Sequence, residues 1–223
     1  MIMERKSEIR KLIDYFHCII FDMDGVIINS EPIKYLAYQK TFLKHYGVFL
    51  SPDDVSWRGK PEKDVIKYWV EKLNIKDDAD VASLTYYKRM IYRSLLQSGR
   101  VNLVPGVKEF LGSLNYEGKQ LGLATTSNRA DQQAIFKLFD LGKYFNAVTT
   151  LDDITYPKPD PEIYFKTAYS LGTRPANCIV FEDSPSGVMA ARTAGMQVIC
   201  VLTSYKEFNF QNCSFLINSF EEL

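Results

Sequence analysis

The sequence predicts an α/β fold: a doubly wound parallel sheet with an all-helical domain inserted after its first strand. Five short apolar runs lack strict alternation, which is typical of parallel strands whose two faces are both covered by helices. Helical segments separate the later runs, from about residue 99 onward, as a parallel sheet requires. The runs are 18–21, 120–124, 147–150, 178–181 and 198–202.

The ends of two later helices are marked by residues that favour helix boundaries. Asp160 is predicted to cap a helix that has Pro161 at its first position, and Gly172 follows its end. Ser184 and Gly195 bound the next helix in the same way. Polar caps at the start and glycine past the end are the usual asymmetry of helices.

Residues 32–98 form a different kind of segment, without a convincing strand. Val65, Trp69 and Leu73 recur at helical spacing, and similar apolar positions continue to about residue 95. A helical block of this length is too long for a crossover connection. We therefore expect a helical cap domain at 32–98 over the strand ends, with residues 1–31 and 99–223 forming the catalytic core.

Composition excludes several partners. Lys plus Arg and Asp plus Glu both number 27, so no basic excess predicts a nucleic-acid or acidic-membrane partner. No apolar run approaches the roughly 18 residues that a membrane span needs. The first fifteen residues are rich in charges and do not resemble a secretory signal, so the cytoplasm is the expected location.

The four cysteines are scattered, and none forms a CxxC pair. Cys18, Cys178 and Cys200 lie inside predicted strands, where a thiol behaves as a small apolar side chain. Buried free thiols are therefore expected rather than a metal site or a disulfide.

The first strand runs directly into Asp22 and Asp24, followed by Gly25. Open α/β sheets bind their ligands at the carboxyl ends of the strands, and glycine there allows a sharp turn. Two carboxylates on one face repel each other, and a divalent cation relieves that repulsion; ligands that are all oxygen favour Mg²⁺. Taken alone, the motif is also compatible with a solvated turn.

Polar residues follow two further strands. Glu182 and Asp183 end the fourth strand, although Asp183 with the next residues is equally typical of a helix cap. The second strand ends in a polar run of possible phosphate ligands, Thr125, Thr126, Ser127 and Asn128. Ser127 is also a candidate cap for the next helix, whose N-terminus favours an anion.

Lys158 follows the third strand between two prolines, which stiffen the segment and make a mobile surface lysine less expected. A fixed ammonium can neutralise phosphate charge. Each of these four motifs is weak by itself, and an isolated lysine is usually solvated. Because all four fall at strand ends, together they predict one site that binds a metal and a phosphate.

In this order and spacing, the motifs resemble those of the haloacid dehalogenase superfamily. Asp22-x-Asp24-Gly25 matches the first motif, Thr125 the second, Lys158 the third and Glu182-Asp183 the fourth. The helical insertion is similar to the C1 cap of this superfamily. Residues 183–196 resemble the β-phosphoglucomutase-like branch.

The resemblance implies roles for five residues. Asp22 attacks phosphorus and becomes an aspartyl-phosphate, while Asp24 protonates the leaving oxygen and then deprotonates the attacking water. Thr125, with Thr126 beside it, and Lys158 bind the transferring phosphoryl group. An acid at the position of Asp24 favours phosphoryl chemistry over dehalogenation, which needs no leaving-group proton.

The resemblance also implies a metal site. Mg²⁺ is expected to be held by Asp22, the carbonyl of Asp24 and Asp183, with Glu182 close by or a further ligand. The expected partner is a small phosphorylated metabolite.

The cap departs from the mutases of the branch. Residues 57–64 resemble their specificity loop, which makes Arg58 and Gly59 candidate substrate contacts together with Ser127 and Asn128 of the core. Glu62 falls where mutases carry an arginine for a distal phosphate, and Lys34 falls where they carry a histidine. We therefore expect a phosphohydrolase of sugar or polyol monophosphates, with a phosphosugar mutase and a non-catalytic binding module as alternatives.

Overall fold

A computed structural model describes residues 2–54, 56–57, 62–75, 80–204 and 212–223 of the 223-residue chain. The chain divides into two compact units, one formed by Met1–Asn29 with Asn102–Leu223 and the other by Ser30–Val101. The strands are β1 (Cys18–Phe21), β2 (Ile28–Asn29), β3 (Asn102–Leu103), β4 (Gln120–Ala124), β5 (Ala147–Thr149), β6 (Cys178–Glu182), β7 (Gln197–Val201) and β8 (Phe215–Ile217). The helices are α1 (Ile2–Tyr15), α2 (Glu31–Tyr46), α3 (Glu62–Lys72), α4 (Val81–Gln97), α5 (Val107–Tyr116), α6 (Arg129–Phe139), α7 (Glu162–Ser170) and α8 (Pro185–Thr193).

Among the described residues of the first unit, six parallel strands form one sheet in the order β5-β4-β1-β6-β7-β8. The chain therefore moves outward from β1 on both sides, which is the doubly wound topology predicted from the sequence. In the register of the sheet, Phe21 lies opposite both Leu123 and Phe181. The residues that follow these three positions consequently meet at one edge of the sheet.

The five predicted strands are confirmed, and two features were not predicted. β8 adds a sixth strand beside β7, where Ile199 pairs with Phe215. A short antiparallel pair, β2 with β3, lies outside this sheet. Elements of two or three residues are too short to show the periodicity on which sequence-based prediction depends.

The apolar runs predicted as strands are buried on both faces. All four residues of β1 and all five of β6 are buried. The ring of Phe21 stacks on that of Phe181 with centroids 5.0 Å apart, and Phe110 packs edge-on against both. This aromatic cluster fixes the ends of β1 and β6 relative to each other, directly before the acidic residues.

The helix boundaries agree with the sequence in one case and differ in two. The Ser184 hydroxyl accepts a hydrogen bond from Gly187 N at 3.1 Å, so the predicted cap of α8 is confirmed. α7 begins at Glu162, and Pro161 precedes it as the cap rather than as its first residue. α6 is capped by Asn128, so the prediction that Ser127 caps it is wrong.

The prediction of free buried thiols is confirmed for Cys18 and Cys178. It is wrong for Cys200, which forms a disulfide with Cys213 across a Cα–Cα distance of 6.0 Å. The partner lies just before β8, so the pairing depends on the strand that the sequence did not reveal. Spacing along the chain alone does not define such a pair.

In its described part, the second unit is built from the helices α2, α3 and α4 around a core of aromatic and aliphatic side chains. Trp69 is 1% exposed at the centre of that core. Its helices follow the apolar periodicity seen in the sequence. Across the described residues, no helix has the length and apolar character needed to cross a membrane.

Glu62, at the start of α3, is paired with two cations of α4. Its carboxylate lies 3.0 Å from Lys88 Nζ and 2.6 Å from Arg89 Nε. Lys88 is buried, and its ammonium lies 4.8 Å from the ring centroid of Tyr38 and 4.9 Å from that of Tyr92. These two cations therefore offset the negative charge of Glu62, which falls where the mutases carry an arginine.

Candidate active site

The site lies at the carboxyl edge of the sheet, where β1 is flanked by β4 and β6. Asp22 continues β1 and its N–H donates to Phe181 O at 3.0 Å. Thr125 continues β4, and its N–H donates to Thr149 O of β5 at 3.0 Å. The register of the strands therefore brings the predicted nucleophile, Thr125 and Glu182 to the same edge.

Lys158 reaches this edge from the segment between β5 and α7. Its ammonium donates to Asp22 Oδ1 at 2.7 Å, to Glu182 Oε1 at 2.7 Å and to the carbonyl of Ala124 at 3.0 Å. Burial alone would lower the pKa of Lys158, but the two carboxylates raise it well above its usual value. The side chain is therefore a fixed cation, as the flanking prolines predicted.

Asp22 is 7% exposed, and this burial raises its pKa to about 7. The ammonium of Lys158 opposes the increase, while the charge of Glu182 adds to it. At neutral pH a proton and a cation would therefore compete for the carboxylate of Asp22. A bound cation would favour the ionised form that can act as a nucleophile.

Asp24 follows two residues later and is half-buried. Its Oδ2 accepts a hydrogen bond from the Ser127 hydroxyl at 2.7 Å. Gly25 follows Asp24 directly and adopts a φ of +82°. A Cβ at this position would overlap Oδ2 of Asp183. Glycine is thus required both by the backbone conformation and by the approach of the acid that ends β6.

Asp183 is held by a residue that the sequence analysis missed. The hydroxyl of Ser204 donates to Asp183 Oδ2, and the hydroxyl of the neighbouring Thr203 donates to the carbonyl of Gly25. These two residues follow β7, so they obey the same strand-end rule that identified the other polar residues. Applying that rule to the fifth predicted strand would have found them.

Glu182 is fully buried and accepts five hydrogen bonds. Its Oε1 accepts from Lys158 Nζ at 2.7 Å and from the Tyr164 hydroxyl at 2.9 Å. Its Oε2 accepts from Asp183 N at 2.9 Å and from both N and Oγ of Ser184 at 3.0 Å. Burial raises the pKa of Glu182, but Lys158 and these donors outweigh it and lower the pKa below its usual value.

The acids fit a divalent cation. Carboxylate oxygens of Asp22, Glu182 and Asp183 lie within 4.8 Å of one another. The donors are all oxygen, which suits Mg²⁺. With Asp24 nearby, four acids share the site with Lys158, and such an excess of buried negative charge is unfavourable without a further cation.

The remaining predicted residues have different surroundings. Thr125 is 1% exposed, and its hydroxyl oxygen accepts from Ser127 N at 3.0 Å, whereas Thr126 is exposed. The Asn128 side chain accepts from Asp131 N at 2.9 Å and donates to Asp131 Oδ2 at 2.8 Å, so it is engaged in capping α6. Arg58 and Gly59 lie outside the described residues.

Comparison with known proteins supports the resemblance noted from the sequence. A family model described as haloacid dehalogenase-like hydrolase matches residues 19–201. The chain is 34% identical over 185 residues to a phosphorylated carbohydrates phosphatase of Thermotoga maritima, covering 81% of this chain and 82% of that protein. It is 32% identical over 186 residues to fructose-1-phosphate phosphatase YqaB of Escherichia coli, covering 82% of this chain and 95% of that protein.

The fold also agrees with solved structures. A haloacid dehalogenase hydrolase of Entamoeba histolytica superposes with a TM-score of 0.80 at 27% identity, covering 92% of this chain and 94% of that one. The resemblance first drawn from four short motifs is therefore confirmed by comparisons that cover most of the chain.

Proposed function

The chain belongs to the haloacid dehalogenase-like hydrolase family, and we propose that it is a Mg²⁺-dependent phosphatase acting through an aspartyl-phosphate on Asp22. The substrate class that we propose is a small sugar or polyol monophosphate. The observation that carries the proposal is the contact of buried Asp22 with Lys158 at 2.7 Å, beside an acid–hydroxyl pair, Asp24 with Ser127. A candidate nucleophile, a cation and a candidate proton donor then lie together at the carboxyl edge of the sheet.

The reaction has two steps. In the first, a carboxylate oxygen of Asp22 attacks phosphorus, the bond from phosphorus to the leaving oxygen breaks, and Asp24 gives that oxygen its proton. In the second, Asp24 takes a proton from water, the water oxygen attacks phosphorus, and the bond between phosphorus and Asp22 breaks to release inorganic phosphate. Lys158, with Thr125 and Thr126, would bind the oxygens of the phosphoryl group.

Mg²⁺ would be held by the carboxylates of Asp22 and Asp183 and by the carbonyl of Asp24. When bound, it would supply positive charge that offsets the phosphoryl oxygens. Glu182 is near enough to be a further ligand, but ligation by it requires that one of its five hydrogen bonds be replaced.

The substrate class rests on the relatives, which include a phosphatase of phosphorylated carbohydrates and one of fructose 1-phosphate. Candidate substrate contacts are Arg58 and Gly59 in the helical unit, which we propose is a cap, and Ser127 and Asn128 in the core. The Asn128 side chain already contacts Asp131 as the cap of α6, so it would have to bind a substrate while it also caps this helix. Location in the cytoplasm stays part of the proposal.

One observation favours a second candidate. Because Lys88 and Arg89 pair with Glu62, the negative charge that argued against binding a second phosphate is offset. A bisphosphate-dependent phosphosugar mutase is therefore the alternative. A non-catalytic module is less well supported, since Lys158 donates hydrogen bonds to both Asp22 and Glu182.

The test is release of inorganic phosphate by purified protein from a panel of phosphorylated metabolites. We expect turnover with Mg²⁺, its loss with excess chelator, and a trapped phosphoryl group on Asp22 in a mass spectrum. Asp22→Asn should remove both turnover and the adduct. Phosphate found on another residue would refute the assignment, and isomerisation of glucose phosphates that is faster than phosphate release would favour the mutase.

A further inference from the structure

Tyr164 contacts the site from α7 and is absent from the motifs identified in the sequence. It is fully buried, and its hydroxyl donates to Glu182 Oε1 at 2.9 Å. The same oxygen accepts from Lys158 Nζ at 2.7 Å. The ammonium also lies 5.0 Å from the centroid of the Tyr164 ring, within the range of a cation–π contact.

The two oxygens of Glu182 are held from opposite sides. Oε2 is bound by donors of the turn that follows β6, namely Asp183 N and the N–H and hydroxyl of Ser184. Oε1 is bound by Tyr164 and Lys158. Terminal carboxylate torsions are otherwise broad, so these contacts determine where Oε1 lies. The position of Oε1 in turn limits where the ammonium of Lys158 can lie.

Lys158 needs such a constraint because its four-carbon side chain has many rotamers. Its three donors point to Asp22, Glu182 and the Ala124 carbonyl, so moving one acceptor redirects the other two bonds. Tyr164 is six residues further along the chain, and α7 begins between the two. A single loop–helix segment therefore carries both the lysine and the hydroxyl that fixes its partner.

We propose that Tyr164 is a positioning residue for phosphoryl transfer: its hydroxyl fixes Glu182 so that the ammonium of Lys158 stays against the nucleophile Asp22. The inference rests on the proposed function and adds a residue to it. If Tyr164 served only for packing, phenylalanine would serve equally well at this position. The ring fills the core and faces the ammonium, whereas the hydroxyl has the separate task of orienting Glu182.

The test compares Tyr164→Phe with Tyr169→Phe. Tyr169 lies on the same helix but is 85% exposed, so the control removes a hydroxyl that has no part in the site. We expect Tyr164→Phe to lower kcat by about tenfold, the effect of one hydrogen bond to a charged group. KM and the Mg²⁺ concentration for half-activation should change less than about twofold, because Phe keeps the ring and neither Asp22 nor Asp183 is altered.

Thermal unfolding of both variants shows whether any loss reflects folding, and crystal structures give a readout that does not depend on activity. In Tyr164→Phe we expect the distance from Lys158 Nζ to Asp22 Oδ1 to exceed the limit of a hydrogen bond, about 3.2 Å. An unchanged distance overturns the inference, as does wild-type kcat in this variant or an equal loss in Tyr169→Phe. If the unmodified protein hydrolyses no phosphomonoester, the proposed function fails instead, and the measured distance still decides the role of Tyr164.

Discussion

Replacing Glu62 by arginine would restore the residue type that the mutases of this branch carry, but it would also place a third cation against Lys88 and Arg89. The side chains of Glu62 and Lys88 are 22% and 9% exposed, and their charged atoms are 3.0 Å apart. We therefore expect Glu62→Arg to destabilise the protein, even where an added arginine improves the affinity for bisphosphorylated ligands.

The magnitude follows from the geometry. At 3.0 Å and an effective dielectric constant of about 20, the attraction between the charges is ~5 kcal/mol, and desolvation offsets part of it. Removing the Glu62 carboxylate from buried Lys88 costs about 3 kcal/mol, at the lower end for buried pairs because Glu62 is partly solvated. For a chain of this length that corresponds to a decrease in Tm of ~6–12 °C.

The assay is thermal unfolding followed by circular dichroism, with Glu62→Gln and the double variant Glu62→Gln/Lys88→Met as controls. Glu62→Gln should lower Tm less than Glu62→Arg because it removes the carboxylate without adding a cation. The double variant should recover part of the loss, since it removes the buried charge of Lys88 together with that of Glu62. A Tm for Glu62→Arg within about 1 °C of the unmodified protein would refute this account of the pair.

Three further predictions concern the core. Asp24→Asn should reduce hydrolysis of alkyl phosphates by ~10²–10⁴-fold but retain transfer from aryl phosphates, which need little leaving-group protonation; a burst of released phenolate measures this, and equal losses for both classes would contradict it. Ser204→Ala should weaken Mg²⁺ affinity several-fold by calorimetry because it removes a hydrogen bond to Asp183, whereas Ser204→Thr and the control Ser214→Ala should not. Because burial raises the pKa of Asp22 to about 7, Mg²⁺ affinity should fall up to about tenfold per pH unit below that value. A Mg²⁺ affinity that is independent of pH would show that Asp22 is not a ligand. Without metal, the raised pKa of Asp22 also contributes to the free energy of unfolding, and this contribution is present at acid pH and is lost as pH rises through about 7.

Much of the fold could be predicted because buried parallel strands leave a plain pattern in the sequence. The runs that became β1 and β6 are apolar at nearly every position, since both faces of each strand are covered. β8 could not be predicted in this way. It is three residues long, and it forms because the edge of β7 supplies backbone partners, as in the pairing of Ile199 with Phe215.

The candidate site was predictable where chemistry coincides with a strand end. Asp22, Lys158 and Asp183 were identified by that rule, and the structure brings them together. Tyr164 was not, because its contact with Glu182 depends on how α7 packs against the sheet rather than on any position in a motif. The pairing of Glu62 with α4 was missed for a similar reason: it joins residues that are distant in sequence and belong to different helices.

The two carboxylates that contact Lys158 are stabilised to different extents, and this difference supports the separate roles that we propose for them. Both lie 2.7 Å from the same ammonium, yet burial raises the pKa of Asp22, while the pKa of Glu182 is lowered despite burial. The cause is the set of protein donors around Glu182, which includes Tyr164 and the turn after β6. A carboxylate that is ionised and saturated with hydrogen bonds serves to hold other groups in place. A carboxylate whose ionised form still lacks stabilisation gains most from an added cation, and it retains the lone pairs that a nucleophile needs. The environments of Asp22 and Glu182 thus favour the first as the reacting group and the second as its support.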